Sequence, residues 1–218
     1  GISGANRGFQ SARFIKNGAD DFLRKPFCPE EFYCRIMQNI EKIQYIDEVK
    51  IAESKDYLTS LFNRRNFIEQ AESIHSNVST SKYLNVLAII RIDSFKEINE
   101  KISHEMGDHV IVELAKLLSL HFKKELISRF GGAEFGLLIN GEDEESIEKR
   151  IEQLRLAVQK HITIVKKVEH KFTVSIGSTM MNDDESLQYI LIEADRAIHQ
   201  AIEKGGNQSV IKGFIELG

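Results

Sequence analysis

The sequence has no long apolar run and few cysteines, and both shortages exclude classes of protein. The longest apolar run, Val86 to Ile90, is far shorter than the roughly 20 residues that a membrane span needs. No signal peptide opens the chain, and we expect no membrane partner. The two cysteines, Cys28 and Cys34, fit no zinc spacing. They indicate a reduced, cytoplasmic chain whose thiols are buried or chemically idle.

The chain also lacks an excess of positive charge. Its formal net charge is −4, which argues against a nucleic-acid partner because phosphate-backbone binding favours a basic domain. The histidines show no metal-binding spacing, and we predict no cofactor. An initiator methionine is absent as well, and the chain starts on Gly1. We therefore expect a fragment that begins inside a domain.

Proline is scarce, and both prolines, Pro26 and Pro29, lie near the start. Pro29 followed by two glutamates is a strong helix start, since proline suits the first turn and acids complement its positive dipole end. The predicted helix runs to about residue 55. Its isoleucines at positions 36, 40 and 43 follow the spacing of a coiled-coil seam, which fades at the charged positions 47 and 50. This helix is predicted to be a connector, and dimerisation through it stays open.

The remaining pattern alternates between helix-like and strand-like segments. The helix-like segments are residues 8–17, 64–75, 105–122, 143–161 and 186–204, and the strand-like segments are 19–23, 84–93, 125–130, 134–139, 171–178 and 208–212. Gly131 and Gly132, between two of these strands, predict a hairpin with a tight turn. Helices alternating with strands imply a sheet that is covered on one or both faces.

A series of motifs along the chain resembles, in order, those of diguanylate cyclase (GGDEF) domains. Residues 56–67 (DYLTSLFNRRNF) are similar to the family's D-x-L-T-G-L-x-N-R-R-x-F opening. Residues 91–99 (RIDSFKEIN) and 104–108 (HEMGD) resemble its D-x-D-x-F-K-x-I-N run and the G-H-x-x-G-D that follows. Residues 129–135 (RFGGAEF) stand where the family has R-Y-G-G-D/E-E-F. Residues 173–177 (TVSIG) and 194–197 (ADRA) complete the order, so the resemblance covers about residues 55–213.

A second resemblance is to the last third of a two-component receiver domain. Residues 2–5 (ISGA) look like the end of its fourth strand, where Ser3 would supply the hydroxyl that contacts the phosphoryl group. Residues 17–27 (NGADDFLRKPF) resemble the family's G-A-x-D-F-x-x-K-P-F. Lys25 would be the lysine that pairs with the phosphate-accepting aspartate, which would lie upstream of Gly1. Ser3 and Lys25 are thus the predicted receiver switch residues.

Together the two resemblances imply an α/β protein made of three parts. Residues 1–45 would be the C-terminal tail of a flavodoxin-like receiver domain, and residues 29–55 the long linker helix. Residues 56–218 would form an α+β GGDEF domain of the nucleotidyl-cyclase type, with a ferredoxin-type central sheet. A sensor histidine kinase would act on the receiver, and the receiver and linker helix would form a homodimer.

The resemblance also shows what the catalytic site lacks. In the family, magnesium is held by the first acid of D-x-D and the third residue of G-G-D/E-E-F, and these positions are Arg91 and Ala133 here. Arginine has no acceptor and stays cationic, and alanine has no side-chain oxygen. Asp93 and Glu134 remain, but adjacent strand residues point to opposite faces, so Glu134 cannot take Ala133's role.

The same resemblance implies that phosphate binding is weakened and that guanine binding is kept. Ile202 and Gly206 replace a lysine and an arginine of the family's last helix, and Lys204 is predicted to face elsewhere. Asn99 and Asp108 match the residues that hydrogen-bond guanine. Phe95, Lys96, Gly131 and Gly132 match other nucleotide-contacting positions. Asn99 and Asp108 could equally cap or form turns, and Arg91 could either meet phosphate directly or pair with an acid.

Three functions stay open on the sequence. The first is a phosphorylation-responsive output module whose GGDEF domain is catalytically silent and binds a partner or a guanine nucleotide. The second is an active diguanylate cyclase that makes cyclic di-GMP from two GTP with Mg²⁺. The third is a domain that binds GTP without turnover. Residues 122–125 (FKKE) depart from the R-x-x-D of the family's inhibitory site, which argues against a receptor for cyclic di-GMP at that site.

Overall fold

The computed structural model describes residues 2–3, 15–19 and 23–213. The chain divides into two compact units, one up to Glu53 and one from Ser54. The helix predicted over residues 8–17 lies largely outside the described residues.

Among its described residues, the first unit has a pair of short parallel strands and a long helix. Strand β1 (Ile2–Ser3) pairs in parallel with β2 (Leu23–Arg24), and helix α1 (Pro29–Glu53) follows. Glu30 and Glu31 occupy the first turn of α1, where the helix dipole favours acids. Cys28 and Cys34 are both exposed and unbridged, so of the two alternatives predicted for the thiols, buried or chemically idle, burial was wrong.

The second unit is a six-stranded mixed sheet with helices on both faces. Its helices are α2 (Arg64–His75), α3 (Phe95–Lys101), α4 (His104–His121), α5 (Glu144–Lys160) and α6 (Leu187–Glu203), with a 3-10 turn at Val78–Thr80. Its strands are β3 (Phe62–Asn63), β4 (Leu84–Ile92), β5 (Leu126–Gly131), β6 (Glu134–Gly141), β9 (Val174–Met180) and β10 (Ser209–Lys212), and a separate hairpin is formed by β7 (Thr163–Val165) and β8 (Val168–His170). The sheet order is β10-β9-β4-β6-β5-β3. The mixed α/β class with a central sheet is confirmed.

Alternation along the central strand β4 divides the core into two clusters. Val86, Ala88 and Ile90 pack with α4 and α5 on one face, while Leu87 and Ile89 pack with α2 and α6 on the other. Both faces are buried, which explains why β4 is an almost continuous apolar run. The predicted Gly-Gly hairpin joins β5 and β6, which pair antiparallel with a register shift between Arg129 and Gly131.

Polar side chains at the N-cap position cap α2, α4, α5 and α6 of the second unit, whereas the N-cap residue of α3, Ser94, makes no such hydrogen bond. Asn63, Ser103, Asp143 and Ser186 each accept a hydrogen bond from the backbone N–H three residues ahead, which satisfies one of the free donors of the first turn. Several short elements were not predicted from the sequence, among them β3 and the 3-10 turn. The short helix α3 and the β7–β8 hairpin were not predicted, and both adjoin the loops that carry the site.

Candidate functional site

The C-terminal end of β4 brings the motif residues together. Arg91 is opposite Glu134 on β6 and opposite Ser175 on β9. Since directly opposed residues of antiparallel strands share a face, these three side chains lie on the side of the sheet that α2 and α6 cover. Asp93 follows two residues after Arg91.

Arg91 forms an ion pair with Glu134. Its Nη2 and Nε donate to the same carboxylate oxygen, Glu134 Oε2, at 2.6 and 3.1 Å. The two side chains are 29% and 25% exposed. Arg91 Nη2 also lies 3.8 Å from Asp195 Oδ1 on α6. Of the two alternatives that the sequence left open for Arg91, the structure shows the paired arginine.

Ala133 lies on the other side of the hairpin from Glu134. Its methyl group packs against the apolar cluster under α4 and α5, and its carbonyl oxygen accepts a hydrogen bond from Ile92 N at 3.1 Å. Glu134 is directed toward Arg91 instead. The two side chains therefore lie on opposite faces of the sheet, as the alternation along a strand predicts.

The carboxylate of Asp93 is held by three donors. Thr173 Oγ1 donates at 2.7 Å, Ser175 Oγ at 2.6 Å and the backbone N–H of Asn207 at 2.9 Å. Arg155 on α5 in turn donates to the side-chain and backbone oxygens of Asn207, at 2.7 and 3.0 Å. Asp93 thus ties the end of β4 to β9 and to the loop after α6.

That loop has no side chain at position 206 because it is glycine. Gly206 has φ +73°, and a Cβ atom there would lie 3.1 Å from Asp93 Oδ1. Ile202 is packed against the apolar cluster under α6. Lys204 is the C-cap of α6 and is exposed. Among the contacts of the described residues, none brings a positive charge from position 202, 204 or 206 to Arg91 or Asp93.

Asn99 and Gly107 meet where α3 packs against α4. The oxygen Oδ1 of Asn99 is buried and has no hydrogen-bond partner among the described residues. A Cβ at Gly107 would lie 2.0 Å from that oxygen and 3.4 Å from the ring of Phe95, so glycine is what lets the two helices approach. Asp108, in the second turn of α4, is exposed, as is Lys96 at the start of α3.

The hairpin tip is held by Arg129. Its guanidinium donates to the carbonyl oxygen of Gly132 at 2.8 and 3.0 Å and to both carboxylate oxygens of Asp56 at 3.2 Å. Burial raises the pKa of Asp56, but hydrogen bonds from Thr59 and the charge of Arg129 outweigh it and hold that pKa below its ordinary value. Gly131 and Gly132 have φ +138° and +50°, and the conformation of the turn accounts for both glycines.

The window that replaces the family's inhibitory motif is occupied by internal contacts. Phe122 is buried, and the guanidinium of Arg150 lies over its ring. Glu125 accepts hydrogen bonds from Arg150 at 2.5 Å and from the backbone N–H of Asn140 at 3.2 Å. In the part of the chain that the structure describes, no group of three or more His, Cys, Asp or Glu could hold a metal ion.

In the first unit, the two predicted switch residues are on neighbouring parallel strands. Ser3 ends β1 and is paired with Arg24 of β2, and Lys25 follows directly. Parallel strands present their carboxyl ends at one edge of a sheet, which is where ligands of such sheets bind.

Four residues of the site had no predicted role. Asp195 approaches Arg91, Thr173 and Ser175 bind Asp93, and Asn207 closes the network. Three of them belong to the TVSIG and ADRA motifs, and the position of these motifs in the family's order is the sequence feature that could have identified them. The hydrophobic periodicity of a segment does not show which residues from distant parts of the chain its side chains contact.

Comparison with known proteins agrees with this geometry. The family model for the diguanylate cyclase GGDEF domain matches residues 53–208. An uncharacterized membrane protein of Staphylococcus aureus strain USA300 is 31% identical over 166 residues, which are 74% of this chain and 47% of that protein. The chain thus spans about half the length of the curated relatives it matches. No helix within the described residues is long and apolar enough to cross a membrane.

Solved structures of similar fold include two further proteins. The diguanylate cyclase SiaD of Pseudomonas aeruginosa, in complex with its activator SiaC, has a TM-score of 0.70 at 26% identity, over 94% of this chain and 80% of that one. The coiled coil and GGDEF domain of DgcB from Caulobacter crescentus, in complex with c-di-GMP, has a TM-score of 0.75 over 84% of this chain and 98% of that one. Its identity of 23% is evidence of the fold alone.

Proposed function

The chain belongs to the GGDEF diguanylate cyclase family, and from that premise we propose that it is a catalytically silent output module of cyclic di-GMP signalling. In this proposal the GGDEF domain acts by binding a partner or a nucleotide. The first unit is the end of a receiver domain that a sensor histidine kinase phosphorylates.

The ion pair between Arg91 and Glu134 carries the proposal. A divalent cation needs carboxylate oxygens, and it stabilises the charge that develops on phosphate during the reaction. Arg91 places a fixed positive charge at one ligand position and neutralises the nearest carboxylate, while Ala133 offers only a methyl group. These residues do not fit a bound magnesium ion. Loss of several kcal/mol of charge stabilisation slows turnover by about a thousandfold or more.

The first unit supports the receiver part of the proposal. The parallel pairing of β1 with β2 brings Ser3 and Lys25 to the same sheet edge, as a phosphoryl site at strand ends requires. Along α1, the side chains of Ile36, Ile40 and Ile43 are 41%, 41% and 59% exposed. Such a stripe is stabilised when a second helix covers it, and we propose that a second copy of the chain does so.

A cyclase assay tests the proposal directly. The full chain is incubated with GTP and either Mg²⁺ or Mn²⁺, and cyclic di-GMP is quantified by chromatography. We expect no product above the background of a reaction without protein. Product at rates comparable with an active diguanylate cyclase would show that the alternative, an active enzyme with an unusual site, is correct.

Restoring the lost groups sharpens this test. The triple variant Arg91→Asp, Ala133→Glu, Ile202→Lys returns both carboxylates and one phosphate-binding cation, and we expect it to gain cyclase activity. The matched control carries Ala133→Gln, which has the same shape without the charge, and stays silent. If the triple variant folds and binds GTP but makes no product, the loss extends beyond these three positions.

A second candidate, GTP binding without turnover, is favoured by Asn99. Its buried Oδ1 has no partner among the described residues, and an unpaired buried acceptor is costly unless a ligand donates to it. A purine N–H group could do so. Calorimetric titration of the chain with GTP checks this candidate, and Asn99→Ala should abolish the heat of binding. No heat at millimolar GTP would exclude it.

A further inference from the structure

The segment 160–171 is a basic and partly apolar surface on an acidic chain. It contains four lysines and one glutamate, whereas the whole chain has a formal net charge of −4. Within it, Ile164 and Val168 of the β7–β8 hairpin are 61% and 50% exposed. Exposed aliphatic side chains clustered with an excess of positive charge are typical of an interaction surface rather than of a solvated hairpin.

Strand β8 has one edge that no described strand covers. Within the described residues β8 pairs only with β7, and β7 packs against α4. Two residues join the strands, so the Val165–Val168 pair next to the turn exchanges hydrogen bonds and the Ile164–Glu169 pair does not. The backbone N–H and C=O of Glu169 consequently point away from β7, where another strand can pair with them.

A cavity of about 330 Å³ opens beside the end of β8. Its apolar lining comes from Ile98, Ile102 and Phe172, and its polar lining includes Lys101, His170 and Lys171 together with the carboxylates of Asp93 and Glu97. The Asp93 carboxylate accepts hydrogen bonds from Thr173, Ser175 and Asn207, and that of Glu97 from Lys101. The volume is at the lower end of the range for ligand pockets, which suits one large apolar side chain. Because His170 and Lys171 continue directly from β8, an added strand would carry alternate side chains to this cavity.

The charge at this surface is positive and only partly compensated. Lys166 is paired with Glu105, and Lys101 with Glu97 at 2.6 Å. Lys167 and Lys171 are exposed and form no ion pair with any described residue. Lys166 and Lys167 also hold the left-handed φ values of +50° and +70°, a strained conformation that presents the lysines at the tip of the hairpin.

We propose that the edge of β8 and the adjacent cavity bind an acidic, extended segment of a partner protein by β-strand addition. In that segment carboxylates alternate with apolar side chains. Main-chain hydrogen bonds to Glu169 give affinity, and the cavity with its lysines selects the side chains. The inference rests on the proposed function in one respect, because it assumes that the domain acts by binding a partner. Peptide binding and cyclase activity are measured separately, so either idea can fail while the other stands.

A labelled peptide tests this surface. A fluorescein-labelled decapeptide of alternating leucine and glutamate is titrated with the full chain, and fluorescence anisotropy is followed. We expect binding, and none for the same peptide with lysine in place of glutamate. Glu169→Pro removes the outward N–H together with the carboxylate, and it should weaken binding at least about tenfold. Glu169→Gln keeps that N–H and should bind as tightly as the wild type or more tightly.

A second variant keeps the proposal testable if proline unfolds the hairpin. Lys167→Glu combined with Lys171→Glu leaves the backbone conformation possible and should also weaken peptide binding at least about tenfold. Equal binding by Glu169→Pro and Glu169→Gln, or peptide binding unaffected by the lysine reversals, would overturn strand addition. A vesicle assay checks whether the surface binds a membrane instead. Strand addition would also be overturned if no peptide bound and if the wild type, but not the lysine variant, sedimented with phosphatidylserine–phosphatidylcholine vesicles.

Discussion

Arg91 donates two hydrogen bonds to a single carboxylate oxygen of Glu134, across the antiparallel strands β4 and β6. The pair is half-shielded rather than deeply buried, so each charge keeps part of its hydration. A cation and an anion that satisfy each other in this way leave little reason for a metal ion to displace either one. We therefore expect the ion pair to affect the stability of the domain as well as metal binding, and its contribution to stability can be measured.

We expect the Arg91–Glu134 pair to stabilise the domain by roughly 0.5–1.5 kcal/mol, because its hydrogen bonds are charge-assisted but partly screened by solvent. Urea unfolding of Arg91→Met, Glu134→Gln and the double variant gives the coupling energy as a double-mutant cycle. The control is the Arg65–Glu69 pair, whose side chains are 81% and 59% exposed. A coupling no larger than in that control would contradict the prediction.

Asp56 and Arg129 should make stability dependent on acid pH. Because the pKa of Asp56 is lowered in the folded chain, its contribution is complete above the unfolded value of about 3.9 and is lost as the pH falls through the lower, folded value. We expect Asp56→Asn to cost about 1–2 kcal/mol at pH 7. Denaturant unfolding of both proteins at a series of pH values checks this.

The difference in stability between the two proteins should start to shrink as the pH falls below about 3.9 and should vanish only below the lower pKa of the folded carboxyl, where wild-type Asp56 is protonated as well. Tyr57→Phe is a suitable control because Tyr57 is 93% exposed, and it should leave the pH dependence unchanged. A cost for Asp56→Asn that stays constant down to pH 2.5 (roughly a unit and a half below the ordinary value) would contradict the mechanism.

The sequence predicted where Ala133 and Glu134 lie, because alternation along a strand depends only on the backbone. It did not predict that Arg91 pairs with Glu134, since this depends on the register between β4 and β6, nor that Asp195 approaches Arg91, since this depends on how α6 packs across the sheet. The β7–β8 hairpin was missed for a different reason. A two-residue turn of this kind normally contains Asn-Gly, and here two lysines adopt the left-handed conformation. Helix α3, with seven residues, is too short for its periodicity to be recognised.

Gly107 should be intolerant of even one added carbon. A Cβ there would lie 2.0 Å from Asn99 Oδ1, so Gly107→Ala must displace a side chain packed between α3 and α4. We expect a loss of about 1–3 kcal/mol in unfolding free energy. Thermal and urea unfolding measure it.

The double variant Gly107→Ala, Asn99→Ala identifies the cause of that loss. Asn99→Ala removes the colliding oxygen, so the second substitution should restore part of the stability and the two effects should not add. Gly132→Ala is the control, because a Cβ there meets nothing within 4 Å and only the left-handed φ is penalised. Additive losses at positions 107 and 99 would show that the collision is not what destabilises the domain.

The exposed isoleucine stripe of α1 should determine the oligomeric state. We expect Ile40→Glu to convert a dimer to a monomer at micromolar concentration, because it places two like charges in the centre of the proposed seam. Light scattering after size-exclusion chromatography gives the mass directly. Gln38→Glu adds the same charge on the same helix, at an exposed position outside the 36–40–43 stripe, and should remain dimeric. A wild type that is monomeric at high concentration, or a dimer that survives Ile40→Glu, would mean that α1 is not the dimerising surface.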